Sequence, residues 1–170
     1  MPAPDPGSTD DVLFYAPLRP VVRALCGTVS PNAITLMNIV PSVVVVLAIL
    51  KRNVVLALLA FTVRFAFDCL DGSVARECNQ TSAVGAWLDW AVDAALTVAI
   101  VVALVATYTT VDPLVAGAAV VVALPCATRA VHAPQVHNNL FVSELVALLG
   151  ALVLGEYTMR RRARALAPRR

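Results

Sequence analysis

Residues 68–76 of the chain read DCLDGSVAR, and residues 85–93 read GAWLDWAVD. Both stretches lie in apolar surroundings. Burying a charged side chain within a membrane costs ~2.5 kcal/mol or more of free energy. Four aspartates fall within residues 68–93, so their desolvation needs compensation. A divalent-metal site would supply it, because carboxylate oxygens are the ligands that Mg²⁺ and Mn²⁺ prefer. The two stretches therefore predict a functional site built into a membrane protein.

The composition independently predicts an integral membrane protein. The 170 residues fit one domain and are 59% hydrophobic but only 14% charged, against about 25% charged in soluble domains. No secretory signal or transit peptide is predicted, because residues 1–11 are acidic and rich in proline. The four cysteines form no CxxC pair. We therefore interpret them as small apolar residues within helices.

The predicted fold class is all-α: a polytopic transmembrane bundle of five to six spans, preceded by an interfacial amphipathic helix. Ser30 is expected to cap the first span with Pro31 at its first position, and Pro41 to kink it. The chain divides into a disordered N-terminus at 1–10, a membrane domain at 11–158 that begins with an interfacial helix at 11–28, and a basic tail at 159–170. The predicted spans are 33–50, 54–77, 83–110, 112–128 and 139–158.

Helical spacing places the acidic side chains on two stripes. Asp68 and Asp71 share a face of one helix, and Asp89 and Asp93 share a face of the next. The short turn between the helices makes them antiparallel neighbours, so the stripes lie at the same end. Two ions ~3.5–4 Å apart there would clamp a diphosphate, or one carboxylate could act instead as a general base.

Other polar residues near these stripes have simpler interpretations. Arg64 lies four residues before Asp68 and is expected to neutralise an aspartate. Asn32, Thr35 and Asn38 on the first span are interpreted as polar contacts between helices.

The spacing matches, without gap or substitution, the signature of the CDP-alcohol phosphotransferases. The matching positions are Asp68, Asp71, Gly72, Ala75, Arg76, Gly85, Asp89 and Asp93. Residues 30–36, SPNAITL, also resemble that family's entry to its first span. The resemblance covers roughly residues 11–110, and an eight-position signature is far more specific than a lone glycine motif.

The resemblance implies transfer of a phosphatidyl group from a CDP-linked donor, usually CDP-diacylglycerol, to a small alcohol acceptor, with release of CMP. By this resemblance two Mg²⁺ or Mn²⁺ ions are implied, with Asp68, Asp71 and Asp89 as ligands and Asp93 as a ligand or the general base. The cytidine-diphosphate site would be lined by Gly72, Ala75, Arg76 and Gly85. It also implies a multi-pass protein in the lipid bilayer, a homodimer, and an active site at the cytosolic face. No nucleic-acid partner is expected.

The acceptor alcohol stays open because the sequence departs from each subgroup somewhere. Ala94 stands where a basic residue follows the fourth aspartate in synthases that use glycerol phosphate or inositol. Asn38 and residues 81–82 resemble the phosphatidylserine synthases, whereas residues 19–25 resemble members that use inositol phosphate. Serine, inositol, its phosphate, glycerol phosphate or another alcohol could be the acceptor.

The last predicted span also leaves alternatives. Five spans would put the arginine-rich tail opposite the active site, against the tendency of basic loops to stay cytosolic. Residues 139–158 could instead form a hairpin or re-entrant element, the tail could lie along the interface, or the orientation could be unusual. Two other function classes are a small cation or proton transporter using the aspartates, and an inactive scaffold that keeps the fold.

Overall fold

The computed structural model describes residues 9–108 and 140–166, with side chains described from Leu145 onward in the second range. Within these ranges all regular structure is helical, as predicted. One π-helical turn, Asp11–Tyr15, leads into α1 (Ala16–Leu25), and the remaining helices are α2 (Pro31–Met37), α3 (Ile39–Leu50), α4 (Val54–Glu77), α5 (Ala83–Tyr108) and α6 (Leu140–Leu166). The predicted span at 112–128 and the loop after it lie outside the described residues.

The first helix packs along α4 and is amphipathic. Phe14 is buried and meets Phe65 of α4 edge to face, with ring centroids 5.0 Å apart. Val22 is also fully buried, whereas Arg19 and Arg23 are exposed. The helix is thereby fixed beside the end of α4 that carries the aspartates.

Helices α2 and α3 form one apolar rod with a break. Ser30 accepts a 3.3 Å hydrogen bond from the backbone N–H of Ala33, and Pro31 occupies the first turn, which confirms the predicted helix start. The break lies at Asn38 rather than at Pro41. Proline removes the hydrogen bond to the carbonyl four residues earlier, so the disturbance falls one turn before the ring.

Helices α4 and α5 are joined by a short connection, as the sequence predicts, but along their lengths each packs mainly on the rod of α2 and α3. Asn53 caps α4 by accepting a 3.0 Å hydrogen bond from the N–H of Leu56. The connection to α5 is short, and Asn79 in it has a left-handed backbone with φ of 54°. The acidic end of α4 therefore meets the acidic start of α5.

Two helical rods are long and apolar enough to cross a membrane: Pro31–Leu50, with mean hydropathy 2.5, and Ala83–Tyr108, with 2.1. Many of their apolar side chains point outward; Val40 is 68% exposed and Val98 is 63% exposed. Outward apolar faces suit lipid as the solvent. The first rod packs against both α4 and α5, and α4 carries polar residues inward.

The last described helix runs without interruption from Leu140 to Leu166. A hairpin at 139–158 is therefore wrong for the described residues, and the helix continues into the arginine-rich segment. Leu148 and Leu152 are fully buried in the core. Further along, both carboxylate oxygens of Glu156 accept hydrogen bonds from Arg52, at 2.8 and 3.0 Å. This ion pair lies at the end of the bundle opposite the aspartates.

One disulfide corrects the interpretation of the cysteines. Cys26, just after α1, and Cys78, just after α4, are bonded, with Cα atoms 5.5 Å apart. Only Cys69 among the described cysteines is the buried free thiol that the sequence predicts. The pattern missed the pair because 52 positions separate the two residues in the chain, and only the docking of α1 on α4 brings them together.

Candidate active site

Three of the four aspartates converge between α4 and α5. Oxygen atoms of Asp68, Asp89 and Asp93 lie within 4.8 Å of one another. Asp93 is 3% exposed, and the Asp68 side chain is 11% exposed. Oδ1 of Asp68 is buried and has no hydrogen-bond partner among the described residues. An all-oxygen cluster with an unfilled acceptor fits a hard divalent cation.

A buried arginine completes this cluster. Arg64 is 4% exposed, its Nη2 donates a hydrogen bond to Oδ1 of Asp93, and the same nitrogen lies 3.7 Å from Oδ1 of Asp68. The predicted neutralisation of Asp68 is confirmed, and the contact with Asp93 on the neighbouring helix is added to it. The guanidinium offsets part of the cost of burying these carboxylates.

Asp71 lies outside the three-carboxylate group and is held by the first rod. Thr35 of α2 donates a 2.6 Å hydrogen bond from Oγ1 to Oδ2 of Asp71. Both side chains are buried, at 3% and 4% exposure. The contact between helices predicted for Thr35 is confirmed, and its partner is one of the signature aspartates.

A single cleft gathers most of the remaining signature residues. It is lined by Pro31, Asn32, Thr35, Asp71, Gly72, Ala75, Arg76, Gln80, Thr81, Ser82, Gly85, Ala86, Asp89 and Trp90. Asp89 belongs both to this cleft and to the carboxylate cluster. The four residues expected to line a nucleotide site therefore surround one opening, and the carboxylate cluster adjoins it through Asp89.

Arg76 is held over the glycine that precedes it by one turn. A Cβ atom on Gly72 would lie 3.1 Å from Nη1 of Arg76. The guanidinium also lies 5.7 Å from the ring centroid of Tyr15, a cation–π contact. Burial raises the pKa of Tyr15, so the phenol stays neutral below the arginine. The first helix thus positions a cation at the mouth of the cleft.

Gly85 allows α5 to begin close against α2. A Cβ atom at this position would lie 2.8 Å from Oδ1 of Asn32 and 3.0 Å from Oγ of Ser82. Ser82 also accepts a 3.0 Å hydrogen bond from the N–H of Gly85, which satisfies a backbone donor at the start of the helix. The missing side chain therefore keeps this wall of the cleft narrow.

Sequence reasoning missed several residues of the cleft. Asn32 and Thr35 share a helix face at i and i+3, which was a usable signal of a polar stripe facing the aspartates. Trp90 follows Asp89 directly and carried no separate signal. Tyr15 could not have been found from spacing, because its position depends on how α1 docks against α4.

The family known as CDP-alcohol phosphatidyltransferase matches residues 28–159 of the chain. The chain belongs to this family. No curated protein matches it. Members of the family are integral membrane transferases of phospholipid biosynthesis that depend on a divalent metal. The resemblance seen in the signature is thereby confirmed and extends well beyond the signature itself.

Membership identifies the activity as phosphotransfer from a CDP-alcohol donor to an alcohol acceptor. The Asp68, Asp89 and Asp93 cluster can hold the divalent metal that the family uses. Membership fixes the class of reaction and assigns no role to an individual residue.

Proposed function

We propose that this protein transfers a phosphatidyl group from CDP-diacylglycerol to the hydroxyl of a small alcohol and releases CMP. The observation that carries this proposal is the adjacency of two features. The carboxylate oxygens of Asp68, Asp89 and Asp93 lie within 4.8 Å of one another. The cleft beside them shares Asp89 and is lined by the glycines and the arginine of the signature.

The proposed metal ligands are Asp68, Asp71, Asp89 and Asp93, which would hold two Mg²⁺ or Mn²⁺ ions. The buried Oδ1 of Asp68, which has no hydrogen-bond partner among the described residues, and the purely oxygen donor set of Asp68, Asp89 and Asp93 support this assignment. When bound, such ions supply Lewis-acid polarisation of a phosphoryl group and stabilise the charge on its oxygens. Thr35 keeps the Asp71 carboxylate fixed at the edge of the cleft.

The nucleotide would enter along the side of the cleft formed by Gly72, Ala75, Arg76 and Gly85. The small residues allow the diphosphate to approach the backbone closely. Arg76 presents a planar fork of donors suited to phosphate oxygens, and the Tyr15 ring contacts its guanidinium. These residues bind and orient the donor.

Asp93 is the proposed base for the acceptor hydroxyl. The acceptor oxygen forms a bond to the β-phosphorus, the bond from that phosphorus to the CMP oxygen breaks, and the hydroxyl proton passes to Asp93. Its 3% exposure supports this role, because a buried carboxylate is screened from bulk water. The acceptor is proposed to be one of serine, inositol, inositol phosphate and glycerol phosphate.

The membrane arrangement is part of the proposal. We infer five to six spans within a membrane domain at residues 11–158, with residues 11–28 along the interface and residues 159–170 as a basic tail. The exposed apolar faces of the two spanning rods support lipid contact. We further infer a homodimer, and an aspartate end that faces the cytosol, where a charged CMP product can be recycled.

CMP release tests the function directly. Protein in lipid nanodiscs would receive CDP-diacylglycerol, Mg²⁺ or Mn²⁺, and one candidate acceptor at a time. We expect release that requires both the metal and one acceptor. A transporter of cations or protons would neither release CMP nor bind CDP in a metal-dependent way. An inactive scaffold would bind CDP with metal but turn over none of the acceptors.

A further inference from the structure

Arg64 places a fixed positive charge inside the carboxylate cluster. It lies on α4, one turn before Asp68, and is 4% exposed. Its Nη2 donates to Oδ1 of Asp93 on α5 and lies 3.7 Å from Oδ1 of Asp68. An arginine stays protonated at any physiological pH, so one nitrogen ties together two carboxylates from two helices.

We propose that Arg64 is a positioning residue that aims Asp93 toward the acceptor and competes with the metal ions for the Asp68 and Asp93 carboxylates. This inference rests on the function proposed above, because it assigns Arg64 a task within that site. Arg64 does not line the cleft, and neither do Asp68 and Asp93, whereas Asp89 of the same cluster does. Any effect of Arg64 on the reaction is therefore exerted through the carboxylates it contacts.

The orientation of the guanidinium supports this role. A side-on pair between Arg64 and Asp68 alone would satisfy Nε of the arginine and Oδ1 of the aspartate together. Instead both atoms are buried without a hydrogen-bond partner among the described residues. Nη2 is directed to Asp93 and lies 3.7 Å from Oδ1 of Asp68, so that oxygen keeps an ion-pair contact but accepts no hydrogen bond from the described residues. An arginine that served only to neutralise Asp68 would be expected to form hydrogen bonds through both of these atoms.

The net charge of the cluster predicts the direction in which metal affinity should change when Arg64 is replaced. The three clustered carboxylates carry a formal −3, and Arg64 reduces the sum by one, to −2. Removing the guanidinium returns the cluster to −3 and removes a competitor, so a divalent cation should bind more tightly. The same change releases Asp93 from its orientation, so turnover should fall. A residue that merely stabilises the fold would weaken metal binding and turnover together.

The test compares Arg64→Gln and Arg64→Lys in the full-length protein in nanodiscs. Mn²⁺ binding is titrated without substrate by the electron paramagnetic resonance signal of the free ion, and CMP release is measured separately at saturating metal. For Arg64→Gln we expect half-saturation at a Mn²⁺ concentration lower by about tenfold, because a repelling positive charge is removed. We also expect kcat to fall on the order of 100-fold, with little change in the KM of the donor.

Arg64→Lys keeps the charge but loses the planar fork. Its Mn²⁺ affinity should match that of the wild type, while kcat should recover only in part. Arg52→Gln is the matched control, because it removes an arginine that forms a two-point contact with Glu156 at the other end of the bundle. It should leave Mn²⁺ affinity unchanged even where it lowers thermal stability.

Weaker Mn²⁺ binding by Arg64→Gln, without recovery in Arg64→Lys, would reduce Arg64 to a structural residue and overturn the proposal. Unchanged Mn²⁺ binding and kcat in folded Arg64→Gln would overturn it equally. The titration needs no turnover. A wild type that binds Mn²⁺ but releases no CMP therefore refutes the proposed function, while the shift in Mn²⁺ affinity still judges the competition at Arg64.

Discussion

Thr35 donates a 2.6 Å hydrogen bond from Oγ1 to Oδ2 of Asp71. The same hydroxyl lies 3.2 Å from the carbonyl oxygen of Pro31, but a hydroxyl has one proton, and the shorter contact to a carboxylate is the stronger one. The bond joins α2 to α4 at the edge of the cleft. It fixes which way Asp71 points before any ligand binds.

Replacing Thr35 with Val should therefore weaken the donor site. The isosteric change removes the hydroxyl and leaves a buried carboxylate short of a donor, at a cost of about 1–3 kcal/mol. We expect the KM of the CDP donor to rise on the order of tenfold, since 1.4 kcal/mol corresponds to a factor of ten. Thr35→Ser should keep the bond and stay near the wild type. Equal KM values for all three proteins would remove Thr35 from the site.

Replacing Asp93 with Asn should abolish turnover and largely spare nucleotide binding. A general base contributes about 10²- to 10⁴-fold to rate, and the amide cannot accept the acceptor's proton. Single-turnover CMP release and CDP binding by calorimetry would be measured on the same preparation. Because Asp93 also accepts a hydrogen bond from Arg64, the folded fraction must be checked by size-exclusion chromatography. Activity equal to that of the wild type would rule out Asp93 as the base.

Asp68→Asn provides the contrasting case. Its Oδ1 is buried without a hydrogen-bond partner among the described residues, which suits a metal ligand. We expect metal affinity and nucleotide binding to fall together, in contrast to the result for Asp93→Asn. Mn²⁺ titration followed by CDP titration would separate the two. Unaltered Mn²⁺ binding would remove Asp68 from the metal site.

A methyl group at Gly85 should close the cleft. The added Cβ of Gly85→Ala would lie 2.8 Å from Oδ1 of Asn32, so the Asn32 side chain or α2 itself would have to shift into the cleft wall. We expect a rise in the KM of the donor together with a loss of thermal stability. Gly150→Ala on α6 is the matched control, because no atom lies within 4 Å of its Cβ position. There the higher helix propensity of alanine should raise stability by about 0.5–1 kcal/mol. Equal stability changes in both variants would contradict the close contact at Gly85.

Local patterns predicted the helices and the pairing of the aspartates well. The predicted span 54–77 coincides with α4. Its first residues are uncharged, and Asn53 caps its N-terminus. The i, i+4 relation of Asp89 and Asp93 was sufficient to place them on one face, and the short connection to α5 was sufficient to orient them toward α4. These features depend only on residues near each other in the chain.

Features that depend on docking between distant helices were not predictable from those patterns. The disulfide between Cys26 and Cys78 and the contact of Tyr15 with Arg76 both require α1 to lie on α4. The link from Arg64 to Asp93 requires a rotation of α4 about its axis that spacing alone leaves undetermined. Spacing showed which residues share a face and could not show which hydrogen bonds they choose.

The orientation of the bundle is open to a direct test. The disulfide lies at the aspartate end, and disulfides are rare in the cytosol. The arginines of α6 lie beyond Glu156, past the opposite end, although basic segments favour the cytosolic side. A cytosolic aspartate end therefore requires Cys26 and Cys78 to be a dithiol in the cell.

A membrane-impermeant maleimide would locate the two ends in a cysteine-free background. Thr81→Cys reports the aspartate end and Arg161→Cys reports the far end of α6, and both positions are exposed. With the proposed orientation, Arg161→Cys is labelled on intact cells, whereas Thr81→Cys is labelled only after permeabilisation. The reverse pattern would place the aspartates on the outer face, where the Cys26–Cys78 bond is stable and the arginines meet the cytosolic leaflet. A CDP-linked donor would then have to reach the site from the outer leaflet.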